Sequence, residues 1–264
     1  MTIFVSSNVF IETSFDDVFD LLKEIPNNQD IGIEIFPNFK NAAFQVALEK
    51  QMPHLKQHPI SLHGPYFNIE HSAAKGTEAY DYAMAEVTEI FELAKETQAE
   101  HIVFHHNNKI ITPENKVETI SEASKNLAEL NKLAKVAGVP LYVENAGVNS
   151  LGTNLFTEEE FIAECLKIEN EVLIDIGHAH ANSWNLEAVI KALGTKIKVF
   201  HVHNNDGVGD GHQRIFDGSL DFKAFQRLYQ TYTPTADIVL EYGYQLATDF
   251  SAIVADIAYI RNEF

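Results

Sequence analysis

Short runs rich in Ile, Val, Leu and Phe recur along the chain at residues 3–8, 31–36, 59–63, 101–106, 139–144, 171–176, 197–204 and 237–242. Their length and nearly continuous apolarity suit β-strands covered on both faces. Between them the hydrophobic period lengthens. Residues 79–97 place apolar side chains at 80, 83, 84, 87, 90, 91 and 94, the spacing of one helix face. Residues 14–25 begin at Ser14 with acids in the first turn, and residues 157–168 open with Thr157 and Glu160, a capping box. Gly138, Val139 and Pro140 stop a helix predicted over 115–137 before the next strand. Further helices are predicted near 40–50, 185–193, 221–231 and 246–261.

Eight alternations of strand and helix within 264 residues predict one α/β domain over residues 1–264, a (β/α)8 TIM barrel. A two-domain, doubly wound sheet fits less well, because no Gly-rich phosphate loop follows the first strand. In a barrel the working groups gather at the C-terminal ends of the strands, and polar residues collect there. The third strand ends in His63 and the fourth in His105 and His106. Glu144 and Asn145 end the fifth, Asp175 and His178 the sixth, His201, His203 and Asp206 the seventh, and Glu241 the eighth. Carboxylates and imidazoles are expensive to bury unless they are paired or bind a cation. Glu144, Asp175, His203 and Glu241, aimed at one end of a parallel sheet, therefore imply a shared divalent metal. Residues two apart in a strand share a face, so Val199, His201 and His203 point the same way. His201 is thus expected one layer below His203, as a substrate contact or a support. His101, His106 and His180 are expected at solvent or behind the ligands.

Composition narrows the partners. A net charge of −19, from 38 acids against 19 Lys and Arg, argues against a broad nucleic-acid surface and against an anionic membrane. No run approaches 18 apolar residues, and MTIFVSSNVF lacks the basic start and small-residue cleavage site of a secretory signal. A soluble, cytoplasmic protein is expected. The single cysteine, Cys165, can form no intrachain disulfide and reads as a buried helix residue. Association into an oligomer is compatible with a barrel of this size, and no interface is legible.

The segments HGPY, FHHN, VEN, IDIGHAH, VHNND, GDGH and VLEYG occur in order over nearly the whole chain. In this the chain resembles the xylose isomerase-like TIM-barrel superfamily, which joins sugar and sugar-phosphate isomerases and epimerases to the endonuclease IV group of apurinic-site nucleases (AP endonuclease family 2). The resemblance implies a metal (Mn, Zn, Co or Mg) held by Glu144, Asp175, His203 and Glu241. The nucleases bind three zinc ions. Carried over position by position, their ligands would be those four with His63, His105, His178, Asp210 and His212. Glu34 in IGIEIFPNF stands as it does in many sugar epimerases of the superfamily. QRIFDGSLDF resembles their turn before the last helix, with Phe216 where a glycine is common.

The expected chemistry is proton transfer beside a carbonyl through an enediolate, with a sugar or sugar phosphate as the small-molecule substrate. Glu144 and Glu241 would be the acid/base pair and His178 would stabilise the developing oxyanion. His63, His105, His201, Glu34 and Tyr66 would contact substrate, and Arg214 would hold a phosphate. Dehydration of a polyol-derived ring would suit the same residues. The alternative is an endonuclease IV-like phosphodiesterase, with Tyr66 holding the abasic site open. Near the mouth only Lys40, Lys75, Lys109 and Arg214 carry positive charge, a sparse rim for gripping DNA. A non-catalytic sugar- or metal-binding barrel is the third class.

Overall fold

Strand β1 (Ile3–Ser6) pairs in parallel with β2 (Ile31–Ile35), and the ladder continues through β3 (Ile60–Leu62), β4 (Ile102–Phe104), β5 (Leu141–Glu144), β6 (Glu171–Asp175), β7 (Ile197–Val202) and β8 (Asp237–Leu240). In this computed structural model, which describes residues 1–264, β8 pairs back onto β1 and closes an eight-stranded barrel. The predicted (β/α)8 architecture is the observed one. The ladders are shorter than the apolar runs. Val139 and Pro140 fall outside β5, since proline has no N–H to give, although the Pro140 carbonyl accepts from the Ile102 N–H at 3.0 Å.

The helices are α1 (Asp17–Glu24), α2 (Ala42–Leu55), α3 (Glu78–Thr97), α4 (Lys116–Ala137), α5 (Glu158–Lys167), α6 (Ile176–Ala181), α7 (Leu186–Leu193), α8 (Phe222–Tyr232) and α9 (Phe250–Glu263). Helix α5 carries the Thr157–Glu160 capping box. Three boundaries differ from expectation. Helix α1 begins at Asp17, whose carboxylate accepts the Ser14 N–H at 3.2 Å. Helix α2 runs past residue 50 and through Pro53. Helix α9 starts at Phe250, capped by Asp249, after a 3-10 turn over Tyr244–Leu246. Helix α6 is an addition that the periodicity missed, being too short to show a repeat. No helix is long and apolar enough to cross a membrane.

Two apolar cores follow from the two strand faces. Outward residues such as Val5, Ile33, Val143, Ile174 and Phe200 pack under the helices in a cluster of 58 buried residues. Inward residues form a plug of Phe4, Val103, Leu173, Val199 and Val239, with Tyr142 against it. The Phe4 ring fills the space over Gly32, where any Cβ would overlap it. One step of two residues above this plug, the interior changes character.

Candidate metal centre

Continuing along the same inward face, Val103 leads to His105, Tyr142 to Glu144, Leu173 to Asp175, Val199 to His201 and His203, and Val239 to Glu241. All six of these polar side chains are buried. Asp175 caps α6, accepting the His178 N–H at 2.7 Å. The turn that follows brings His178 Nδ1 to 3.3 Å from Glu144 and 3.7 Å from Asp175. Gly177 makes the close approach possible, because a Cβ there would run into the His203 ring. Asn145 ties the ends of β5 and β6: its side-chain oxygen accepts the Asp175 N–H at 2.7 Å and its Nδ2 donates to the Asp175 carbonyl at 2.9 Å. Asn205 Nδ2 donates to the Gly177 carbonyl at 2.8 Å, and Asn204 Nδ2 donates to the carbonyls of Ile215 and Leu220 at 2.9 and 3.1 Å. These amides fix the loop that carries Asp210 and His212.

The nine residues of the expected three-metal set lie together. Ligating atoms fall within 4.8 Å of one another in four overlapping groups: His63, His105 and Glu144; Glu144, Asp175 and His178; Asp175, His203 and Glu241; and His178, His203, Asp210 and His212. His105 Nε2 stands 2.9 Å from Glu144, His203 Nε2 3.1 Å from Asp175, and His212 Nε2 3.3 Å from Asp210. His212 holds φ at +41°, outside the usual range for a side chain, and its Nδ1 donates to the Glu241 carbonyl at 2.6 Å. Buried polar atoms without a hydrogen-bond partner include His178 Nδ1, His203 Nδ1 and Asp210 Oδ1. Such orphaned donor and acceptor atoms, in an imidazole and carboxylate set, fit a divalent cation.

The charges are strongly coupled. Burial works against ionising Glu144, yet His105 and His201 hold it well below the usual carboxylate range. Glu241 is likewise lowered, with His201 and His212 outweighing its burial, and Asp210 is lowered by His178 and His212. Burial opposes charge on His178 and His212, but Asp175 and Asp210 raise the first well above its usual value and Asp210 raises the second to about 9. His63, by contrast, is pushed down to about 4, by burial first and His105 next. A cation entering here must therefore displace protons from imidazoles.

Two expected substrate contacts lie too deep. Glu34 and His201 are fully buried and do not line the cavity; His201 Nε2 is 3.0 Å from Glu34, and its Nδ1 is 3.2 Å from Glu241, 3.7 Å from Glu144 and 4.0 Å from Asp175. They brace the floor from beneath, one strand step below His203. Arg214 is also corrected. Its Nε and Nη2 donate to Asp256 at 2.9 and 2.7 Å, Asp256 also accepts from Tyr242, and Arg214 does not reach the cavity. The buried Asp256 carboxylate holds the Nε edge of this guanidinium and balances its charge away from the cavity lining. His101 and His106 are buried away from solvent, His101 stacked on Tyr142 at 4.6 Å and His106 edge-on to Phe156 at 5.0 Å. His180 pairs with Ser219 at 2.7 Å. Cys165 is buried, its thiol pushed up to about 12 by burial.

Above the floor opens a cavity of about 300 Å³, lined by His63, His105, Glu144, His178, Asp210, His212 and Glu241 below and by Tyr66 at the mouth. Its walls include Asn8, Asn107, Asn108, Thr153, Tyr244 and Gln245, and contain no lysine or arginine. Sequence reasoning missed these neutral groups. Their signal was present in part, since Asn107 and Asn108 directly follow FHH at a strand end. Lys40 and Lys75 are instead paired with Glu86 and Glu129.

A family model described as xylose isomerase-like TIM barrel matches residues 32–262. An uncharacterised protein of Methanocaldococcus jannaschii is 23% identical over 230 residues, covering 86% of this chain and 87% of its own length. Among solved structures, a D-tagatose 3-epimerase-like protein superposes with a TM-score of 0.78 at 21% identity, covering 100% of this chain and 99% of its own. The IOLI protein with a binding zinc atom gives 0.78 at 15% identity, with the same coverage. At these identities the two structures establish the fold alone.

Proposed function

The chain belongs to the xylose isomerase-like TIM-barrel family, and from that membership and the site's geometry we propose that it is a divalent-metal-dependent sugar isomerase or epimerase. One observation carries the reading. Two ionised carboxylates, Glu144 and Glu241, converge on the floor of a cavity whose walls offer amides and hydroxyls but no lysine or arginine. Glu144, Asp175, His203 and Glu241 would hold the metal, with His63, His105, His178, Asp210 and His212 available to hold more. When bound, the cation supplies polarisation of a carbonyl and its neighbouring hydroxyl, which lowers the barrier to removing the adjacent carbon-bound proton.

The protein's own residues do the rest. One of Glu144 and Glu241 takes the proton from carbon, giving an enediolate. For isomerisation the same carboxyl delivers that proton to the neighbouring carbon, and for epimerisation the other carboxyl, having taken a proton from solvent, delivers it to the opposite face of the same carbon. His178, charged by its acidic neighbours, donates to the oxygen on which negative charge develops. The amide rim suits sugar hydroxyls, and its lack of cations favours an unphosphorylated ketose over one with a phosphate at its far end. A second reading, phosphodiester hydrolysis, is favoured by the gathering of all nine residues of a three-zinc set. The sparse basic residues near the mouth count against a DNA substrate.

The test is a panel of free and phosphorylated ketoses in deuterated water with manganese-, cobalt- or zinc-loaded protein. Deuterium beside the carbonyl of at least one free ketose is expected, lost in Glu144→Gln. Catalytic nicking of a duplex with one abasic site, without deuterium in any sugar, would replace this reading with the hydrolytic one.

A further inference from the structure

A second hollow of about 160 Å³ lies beside the main cavity, and the exposed ring of Tyr66 lines both. Its walls come from three elements: Pro37–Lys40 after β2, Pro65–Asn68 after β3, and Tyr82 and Glu86 on α3. Tyr66 is tied to the metal centre on one side, with its ring edge-on to His63 at 6.2 Å and His105 at 6.1 Å. On the other side it meets Phe67 at 5.9 Å. At the far wall the buried Glu86 carboxylate is 2.5 Å from Lys40, whose ammonium also sits 5.8 Å over the Tyr82 ring and 3.6 Å from Glu89.

Resting on the reading of the main cavity as a sugar site, we propose that this hollow is a second subsite, which takes a neutral glycosyl unit attached to the sugar that reacts. The chemistry of the walls supports that class of ligand. The aromatic side chains of Tyr66, Phe67 and Tyr82, the last with Lys40 over its ring, suit the C–H surface of a pyranose, whereas Glu86, Asn38 and Asn68 offer acceptors and donors for its hydroxyls. An acidic substituent is disfavoured, because the one ammonium already faces two carboxylates, Glu86 and Glu89. A simpler role for Lys40 and Glu86, pinning the β2–α2 loop to α3, leaves the aromatic lining and the shared Tyr66 wall without a purpose.

The experiment compares metal-loaded protein acting on a free ketohexose with the same ketohexose carrying a glucosyl unit on O4, O5 or O6, and with the corresponding glucuronyl compound. Deuterium exchange and calorimetric binding are the readouts. At least one glucosyl compound is expected to be preferred over the free ketose by about tenfold or more in kcat/KM, and the glucuronyl compound to lose that preference. Tyr82→Ala and Glu86→Gln, each checked by thermal melting for an intact fold, should remove the preference and leave the free ketose unaffected. Turnover of the free ketose with every glycoside rejected, or handled no better, overturns the subsite and leaves the sugar reading standing. Failure of every sugar to bind or exchange overturns both.

Discussion

The lower and upper layers of the barrel interior are built on the same strands and the same inward face, yet they do opposite things. Leu173 and Asp175, or Val239 and Glu241, are separated by one strand step, about 7 Å along the axis. Below, five apolar side chains fill the barrel, flanked by Tyr142 and His101. Above, carboxylates and imidazoles are crowded into overlapping ligand sets with buried atoms left unpaired. The lower layer gains from burial and the upper one is held against its own desolvation, which is the arrangement expected where stability is given up for a ligand.

Exchanging one residue from each layer should break the comparison most visibly. Glu241→Gln removes a carboxylate that the proposed proton transfer uses. It should reduce deuterium exchange by roughly a thousandfold or more, a loss read on protein that a thermal melt shows to be folded. Leu173→Ala should do the reverse. It opens a cavity in the plug and should cost about 2–5 kcal/mol in a denaturant titration, with the cation still bound at the folded end of the titration.

The bracing pair sits between the layers and should give an intermediate effect. Glu34→Gln keeps the shape but removes the carboxyl that His201 faces, so manganese or zinc affinity measured by calorimetry should fall about 10–100-fold with the fold retained. Wild-type affinity in that variant would mean that Glu34 only fills space. Arg214→Met tests the corrected assignment. Breaking the pair with buried Asp256 should destabilise the protein by about 1–3 kcal/mol, and turnover of free and phosphorylated ketoses should be equally unaffected. A selective loss on the phosphorylated sugar would restore Arg214 as a phosphate contact.

The smallest effect expected is in the pH dependence of the metal-free protein. His212, raised from 6.5 to about 9, contributes stability that is complete below pH 6.5 and is lost as the pH climbs through 9. His63, lowered to about 4, works the other way: its contribution is complete above pH 6.5 and is lost as the pH falls through 4. His71, lowered to about 3 by burial, adds to that loss on the acid side. The depressed Glu144 and Glu241 contribute above their ordinary 4.5 and lose that contribution only in stronger acid. Thermal melts should therefore place the metal-free optimum near pH 6.5, and cation binding, which releases protons, should tighten as the pH rises from there. An optimum above pH 8 without metal would contradict the assigned proton positions.

Much of the fold was legible because its signal is periodic. Strand-length apolar runs separated by amphipathic stretches are enough to specify a barrel. The four candidate ligands at strand ends stand out because Glu144, Asp175, His203 and Glu241 interrupt runs that have no other reason to be polar. Strand parity correctly set His201 below His203. What it cannot give is how far the cavity reaches down the barrel, so Glu34 and His201 stand as candidate substrate contacts in the sequence although both lie beneath the cavity. The role of Arg214 is hidden from the sequence for a different reason. Its partner Asp256 lies on α9, 42 residues away, and a contact of that range leaves no local pattern. Helix α6 escaped because six residues are too few to show a period.

The upper layer is proposed as a divalent-cation site, seated on the apolar plug of the lower layer. Elemental analysis of purified protein, followed by equilibrium dialysis against manganese, cobalt and zinc, tests it most directly. The expected result is at least one tightly bound divalent cation per chain, lost or greatly weakened in Asp175→Asn and retained in Leu173→Ala. Protein that carries no metal, takes up none on dialysis and is indifferent to chelator in stability and activity would contradict the account.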